Sequence, residues 1–504
     1  MIDQPELPTE LLSLLSHLCS TQSDLNLCGP AVLHQLSLIS TLLCSPPSNL
    51  TNDKPRAKAH HLSLSLLRLA DEKILAYHYS DVPLWWRRLY TDASLLGVIA
   101  LLLASAEEKG KEGAEKEQWK EAVRLLDMVL IVAGAPGMGR EDLVFTLLSH
   151  VQAHLSSSSS PSRPTKRPRP SPPSPSPLPS PHVTHSLPRF TIETAPSLTT
   201  YLTTPTLLSG PFIITGGCLS WPATEPGRWD TADYLLAKAG EGRVVPVEVG
   251  GDYTREGWGQ RIVPFSDFLS SLSPSSDDDG EEEEEEEEPL YLAQHNLFRQ
   301  FPSLVSDILL PDYIYSSPPP PAEVPSYRPP ANEEGYVVNA WLGPKGTVSR
   351  AHTDGVFNCF AQILGSKWLW VAPPSCSPWM YPYGSNPSST TIDNNVTSTD
   401  SEPREESEDT DGGAAAAGEE AQDEGGSTNH LLTNTSRLPV HLHVPSPSPS
   451  SPSSPSSSRA EPSPPSPNPS PSPLDAFPGF KTHVEPFAMQ TVLERGDLLV
   501  MPPG

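Results

Sequence analysis

Cysteine is scarce and unpaired in this chain. Its 504 residues hold six cysteines, at positions 19, 28, 44, 218, 359 and 376, and none forms a C-x-x-C pair. That argues against a zinc ribbon and a disulfide framework, so a reducing compartment fits best. The start, Met1-Ile-Asp-Gln-Pro-Glu, lacks a basic segment followed by an apolar one, so no secretory signal is read there. Long apolar runs are missing too. The longest, Ala93–Ala104, is broken only by Ser94 and Gly97; it is too short to span a bilayer and reads as a buried helix, which implies no membrane partner. Gly134-Ala-Pro-Gly-Met-Gly139 lacks the Gly-Lys-Ser/Thr ending of a phosphate loop and follows a helical pattern, so it reads as a helix cap. Basic residues are outnumbered 33 to 61, a formal charge of −28. Much of that excess lies in runs, Asp277–Asp279, Glu281–Glu288 and a group within 400–424, which read as solvated loops and not as a binding face.

Proline, by contrast, is abundant, with 61 residues concentrated with serine in a few tracts. Such tracts bury too little apolar surface to offset the entropy of ordering. They divide the chain. Residues 1–155 read as a helical domain, with Leu-rich segments near 6–18, 31–44, 60–77, 83–106, 116–133 and 140–155 whose apolar residues recur three or four apart. Residues 156–188 read as a Ser/Pro linker. Within it Arg163-Pro-Thr-Lys-Arg-Pro-Arg169 is either a nuclear localisation signal or plain solvated linker; the first reading puts the protein in the nucleus, with the cytoplasm as the alternative. From 189 to 504 the texture is β-rich, with short runs at Pro211–Thr215, Arg243–Val249, Tyr336–Leu342, Phe357–Leu364, Lys367–Val371, Met489–Leu493 and Asp497–Met501. Short strands punctuated by turn residues suggest a barrel or sandwich. Two insertions, 273–288 and 384–473, are expected to be disordered. The fold class is therefore α+β.

One stretch carries chemistry: Trp341-Leu-Gly-Pro-Lys-Gly-Thr-Val-Ser-Arg-Ala-His352-Thr-Asp354-Gly-Val-Phe-Asn358. On a strand, His-x-Asp places both side chains on one face. Such a pair can deliver two ligands of the two-His, one-carboxylate triad of non-haem Fe(II) oxygenases. The dyad alone is weak. His-x-acid pairs arise by chance in a chain with 15 His and 61 acidic residues, and two occur, His352/Asp354 and His483/Glu485. Context favours the first. Lys367 follows within Gly-Ser-Lys-Trp-Leu-Trp-Val, where a cation among bulky apolar residues is costly unless an anion pairs with it. A 2-oxo diacid meets that need; a lysine on a solvated strand face is the plain alternative.

These residues resemble the JmjC family, and within it a subfamily described both as protein arginyl hydroxylases and as histone lysine demethylases. The likeness covers Gly210–Gly216, Arg243–Thr254, Tyr291–Phe298, Ile308–Tyr313 and Asn339–Pro344, beside the dyad itself. It implies a double-stranded β-helix, the cupin-like jelly roll, using Fe(II), 2-oxoglutarate and O2 on a peptide or protein substrate such as a histone or other basic protein. It implies that His352 and Asp354 ligate iron, and that Lys367, helped by the hydroxyls of Tyr291 and Ser349, pairs with the distal carboxylate of 2-oxoglutarate. Asn358 would sit beside the co-substrate, and Gln294, Asn339 and Trp341 would line the pocket. A JmjC enzyme acting directly on RNA is the weaker variant, because the basic residues of the core are scattered.

The family's second His ligand follows the strand that here reads Gly496-Asp-Leu-Leu-Val-Met-Pro-Pro-Gly504. The expectation is a natural protein that continues past this point. The 504 residues stop before that ligand, so weak iron binding, little turnover and an exposed sheet edge are expected of them as they stand; the alternative is a non-catalytic cupin-like scaffold whose acidic and Pro-rich insertions recruit partners.

Overall fold

The computed structural model describes residues 11, 13–16, 18, 23–45, 54–78, 81–107, 115–157, 185–250, 258–272, 288–322, 324–325, 327–330, 332, 334–383, 433–442 and 476–504. The linker beyond 157 with its basic cluster, residues 273–287 of the acidic insertion and most of the 384–473 tract lie outside the described residues.

Among the described residues of the N-terminal region are five long helices: α1 (Pro30–Cys44), α2 (Pro55–Leu75), α3 (Leu84–Glu107), α4 (Glu115–Met128) and α5 (Arg140–Ser157). Pro30 and Pro55 occupy first turns, where the missing N–H costs no intrahelical bond. α3 is the central helix. Leu89, Ala93, Leu96, Ala100 and Leu103 are buried, as are Leu95, Val98, Ile99 and Leu102 between them, so it is covered on all sides by its neighbours. A π turn (Val129–Ala133) ends α4, and Gly134 closes it in the left-handed conformation at φ 69°. Gly137 is required for a different reason. A Cβ there would fall 1.7 Å from the guanidinium of Arg88, which binds Asp92. Asp92 in turn pairs with Arg140 at 2.9 Å, both fully buried.

The described residues of the C-terminal region form ten strands: β1 (Arg189–Phe190), β2 (Phe212–Ile214), β3 (Val244–Val249), β4 (Gly259–Pro264), β5 (Leu290–His295), β6 (Ala340–Leu342), β7 (Asn358–Ala361), β8 (Lys367–Val371), β9 (Met489–Leu493) and β10 (Leu498–Met501). They make one sheet in the order β1-β2-β10-β7, a second in the order β4-β3-β5-β6, and a β8-β9 pair. All pairings are antiparallel except β1 with β2. β10 is apolar without alternation because both of its faces are covered. Leu498 and Val500 pack with Tyr201, Phe212 and Ile214, while Leu499 packs with Leu187, Ile213 and Leu493. Strands β1, β4 and β5 have no simple periodic signal. In β4 the burial does not alternate cleanly, which hides a period of two.

The two regions meet through a buried carboxylate. Asp127, near the end of α4, accepts hydrogen bonds from Arg243 Nε (2.9 Å) and Nη2 (2.6 Å), Gln300 Nε2 (2.9 Å) and the Val244 amide (2.9 Å). Arg299 adds a pair of bonds to Glu141 and one to the Gly134 carbonyl.

Two expectations need correction. First, His352 and Asp354 do not lie on a regular strand. His352 forms only an isolated antiparallel bridge, to Thr435. Second, that partner lies inside the 384–473 tract expected to be disordered. Residues 433–442 form a strap, with Asn434–Ser436 lying between Ala351–Thr353 on one side and Tyr381–Tyr383 on the other. Leu438 and Val440 anchor it, buried against Cys376, Phe480 and Val484. Two apolar residues at this spacing in a polar tract are the local cause. The composition of the whole tract masks them.

Candidate active site

The dyad is shaped by its neighbours. His352 Nδ1 lies 2.7 Å from the Arg350 carbonyl oxygen. A carbonyl can only accept, so Nδ1 carries the proton and Nε2 keeps its lone pair free for a ligand. Nε2 lies 3.5 Å from Asp354 Oδ1. The other oxygen, Oδ2, accepts a hydrogen bond from Asn358 Nδ2 at 2.9 Å. One imidazole nitrogen and one carboxylate oxygen thus converge, each oriented by a second group. Nitrogen and oxygen donors of this kind suit a first-row divalent metal. Among the described residues no third His, Cys, Asp or Glu joins them. His483 does not: it stacks on Trp379 with ring centres 4.0 Å apart, in the short helix Phe480–His483.

Asn358 and Phe360 are two apart on β7 and share a face, which links the dyad to the lysine. The ammonium of Lys367, at the start of β8, lies 5.1 Å from the Phe360 ring centre and donates to the Tyr291 hydroxyl at 3.5 Å. Burial lowers the Lys367 pKa below the usual lysine value. Tyr291, on β5, is pushed above the usual phenol value, chiefly by burial. The hydrogen bond from Ser349 pulls the other way, and the neighbouring Glu248 adds to the rise. Tyr291 therefore stays protonated at neutral pH. Gly343 makes room for it: a Cβ there would lie 2.5 Å from Tyr291 Cδ2.

The structure thus brings His352, Asp354 and Asn358 together, and Tyr291, Ser349 and Lys367 together. Asn358 touches the carboxylate of Asp354, a contact the sequence reading did not anticipate. Trp341 sits on β6, partly exposed, with its ring 6.2 Å from Phe360. Asn339 is half-buried just before β6. Gln294 is exposed and holds φ at 49°, inside the register shift between β5 and β6; bulges of this type re-aim side chains beside active sites. Phe360, Glu248 and the strap escaped the sequence reading. Phe360 was within reach, two positions after Asn358 on the same strand. The strap was not, because its pairing spans some eighty residues.

Residues 202–504 match the family described as "Cupin-like domain". Among curated proteins, the chain is 30% identical over 330 residues to "Lysine-specific demethylase 8" of Danio rerio, covering 64% of this chain and 72% of that protein. It is 29% identical over 348 residues to "Jumonji C domain-containing protein 5" of Drosophila melanogaster, covering 66% and 73%. Over 188 residues it is 36% identical to "Lysine-specific demethylase JMJ30" of Arabidopsis thaliana, a match spanning 36% of this chain and 38% of that relative. The chain belongs to the cupin-like domain family and, within it, to the JmjC proteins of the Fe(II)/2-oxoglutarate oxygenase class.

Proposed function

We propose that this protein is an Fe(II)- and 2-oxoglutarate-dependent oxygenase acting on a basic peptide segment, by hydroxylating an arginine side chain or by removing a methyl group from a histone lysine. The observation that carries this reading is Lys367. It is a half-buried cation on a strand, beside Tyr291 and Phe360, and among the described residues no carboxylate pairs with it. A buried charge is retained where a partner of opposite sign arrives, and a co-substrate carboxylate is such a partner.

His352 Nε2 and Asp354 Oδ1 are the groups that would hold the metal, and Lys367, Tyr291 and Ser349 those that would hold the distal carboxylate of 2-oxoglutarate. When bound, Fe(II) with 2-oxoglutarate and O2 supplies an oxidant able to hydroxylate an unactivated C–H bond. The chain's own part is placement. The Arg350 carbonyl keeps the proton on His352 Nδ1. Asn358 holds one Asp354 oxygen so that the other faces His352. Tyr291, kept as a phenol by burial, has a hydroxyl to offer an anion. Trp341, partly exposed, offers an aromatic face to an incoming cationic side chain.

The names of the zebrafish and Arabidopsis relatives speak for a lysine-directed demethylase, and the resemblance of the motifs for arginine hydroxylation as well. A peptide is favoured over nucleic acid. Two of the core's scattered basic residues are spent internally, Arg243 on Asp127 and Arg299 on Glu141, so they do not contribute to a basic surface of the kind nucleic acid needs. The test is succinate release from 2-oxoglutarate with Fe(II) and a basic peptide, followed by mass analysis of the peptide. Gain of one oxygen without formaldehyde assigns hydroxylation; formaldehyde with loss of a methyl group assigns demethylation. Asp354→Ala should abolish succinate release, and unchanged release would overturn the reading.

A further inference from the structure

The segment carrying His352 is held by chain far away in sequence. The Ser436 amide donates to the Ala351 carbonyl at 2.8 Å, and the Thr353 amide donates to the Asn434 carbonyl at 3.0 Å. Asn434 Nδ2 adds a bond to the Thr353 carbonyl at 3.2 Å. The two main-chain bonds flank His352 on either side. They make His352 and Thr435 a non-hydrogen-bonded antiparallel pair, the kind that brings opposite side chains closest. His352 is partly exposed, whereas Thr435 is buried at 3%.

We propose that Thr435, bracketed by Asn434 and Ser436, is the positioning residue for the ligand His352, so that the strap inside the long polar insertion is a working part of the metal site. This rests on the metal reading of His352 and Asp354. Three observations support it. The strap is anchored independently of the dyad, through buried Leu438 and Val440 and through bonds to the other side, from the Tyr383 amide to the Thr435 carbonyl and from the Arg437 amide to the Tyr381 carbonyl. His352 has no regular strand of its own to hold it, since its bridge to Thr435 stands alone. The opposite side of the dyad is already accounted for, His352 by Arg350 and Asp354 by Asn358. Among the described residues the main-chain bonds that bracket His352 come from the strap, while the Gly504 amide holds the Asp354 carbonyl at 2.8 Å. The pairing rigidifies residues 351–353, and the Thr435 side chain limits the rotamers open to the imidazole.

The test uses the full chain, with Co(II) alone as the probe, titrated by calorimetry. It compares wild type with Thr435→Gly, Thr435→Val, Ser436→Pro and Asp354→Ala, alongside amide hydrogen exchange at Thr353 and thermal unfolding. Asp354→Ala should lose the Co(II) signal, which locates the binding at the dyad. Thr435→Gly should weaken Co(II) by about tenfold or more, the range typical of groups that orient metal ligands. It should also speed exchange at Thr353 while the unfolding of the helical region stays put. Thr435→Val, which keeps the branched shape beside the imidazole, should restore most of the affinity. Ser436→Pro removes the amide that bonds Ala351 and should match or exceed Thr435→Gly; if it does not fold, the Gly and Val pair decides. Equal Co(II) affinity in wild type and Thr435→Gly would overturn the proposal alone. A wild type that takes no Co(II) would overturn the metal reading and the proposal together.

Discussion

The ammonium of Lys367 lies 3.5 Å from the hydroxyl oxygen of Tyr291, with the Phe360 ring on another side at 5.1 Å. This pair places a cation and a hydroxyl at one end of the site, with the His352–Asp354 dyad reached through Asn358 and Phe360 on a single strand face. A short diacid bridging a metal and a lysine is what such an arrangement suits.

Replacing Lys367 with Ala should weaken 2-oxoglutarate by about 30-fold or more, since truncating one member of a buried charge pair typically costs about 2–5 kcal/mol. Co(II) binding should change little. Affinity for 2-oxoglutarate measured by titration decides it, and an unaltered value would remove Lys367 from the site.

The same lysine makes a pH prediction. Burial lowers its pKa in the free protein, while a bound carboxylate favours the charged form and raises it. Binding then requires the protonated amine. Affinity for 2-oxoglutarate should fall as pH rises through the lowered free-state pKa, beginning below the ordinary lysine value. In Lys367→Ala that alkaline fall should disappear from the affinity profile.

Gly343→Ala places a methyl 2.5 Å from the Tyr291 ring, too close to be accepted without a shift. The ring has to shift, which disturbs its contacts with Lys367 and Ser349. The expected outcome is weaker 2-oxoglutarate binding with a smaller change in melting temperature than a core cavity would cause. A variant that binds 2-oxoglutarate as wild type does would show that the ring position is not critical.

Asp127→Ala leaves the buried guanidinium of Arg243 without its carboxylate and strips a partner from Gln300 and from the Val244 amide. Removing one member of such a buried pair costs about 3–5 kcal/mol. Tm should fall accordingly. Asp127→Asn, which retains an acceptor oxygen, should lose less. Equal melting of the Ala variant and wild type would show that the junction carries no stability.

The chain's order of residues was enough to mark where helices and most strands lie. Apolar residues three or four apart marked the helices now seen between Pro30 and Ser157, and dense apolar runs marked β2, β3, β8, β9 and β10. The same order pointed to His352, Asp354 and Lys367, because a His-x-Asp pair and an apolar-flanked cation are local patterns. Local patterns survive without a fold because they depend on side-chain periodicity and on the cost of burying charge. Tertiary structure alone decided three things. It replaced the expected strand at His352 with a single bridge to Thr435, it set Asn358 on the carboxylate of Asp354, and it tied the helical region to the β-rich one through Asp127. The first and third join groups brought together by chain closure, whereas Asn358 and Asp354 are only four residues apart and meet through the local path of the chain into β7. Thr435 sits in a tract whose bulk composition is polar, and Leu438 and Val440 become informative only when the surface that buries them is known. Composition averages over a tract, whereas packing selects individual residues from it, and the strap lies where the two disagree.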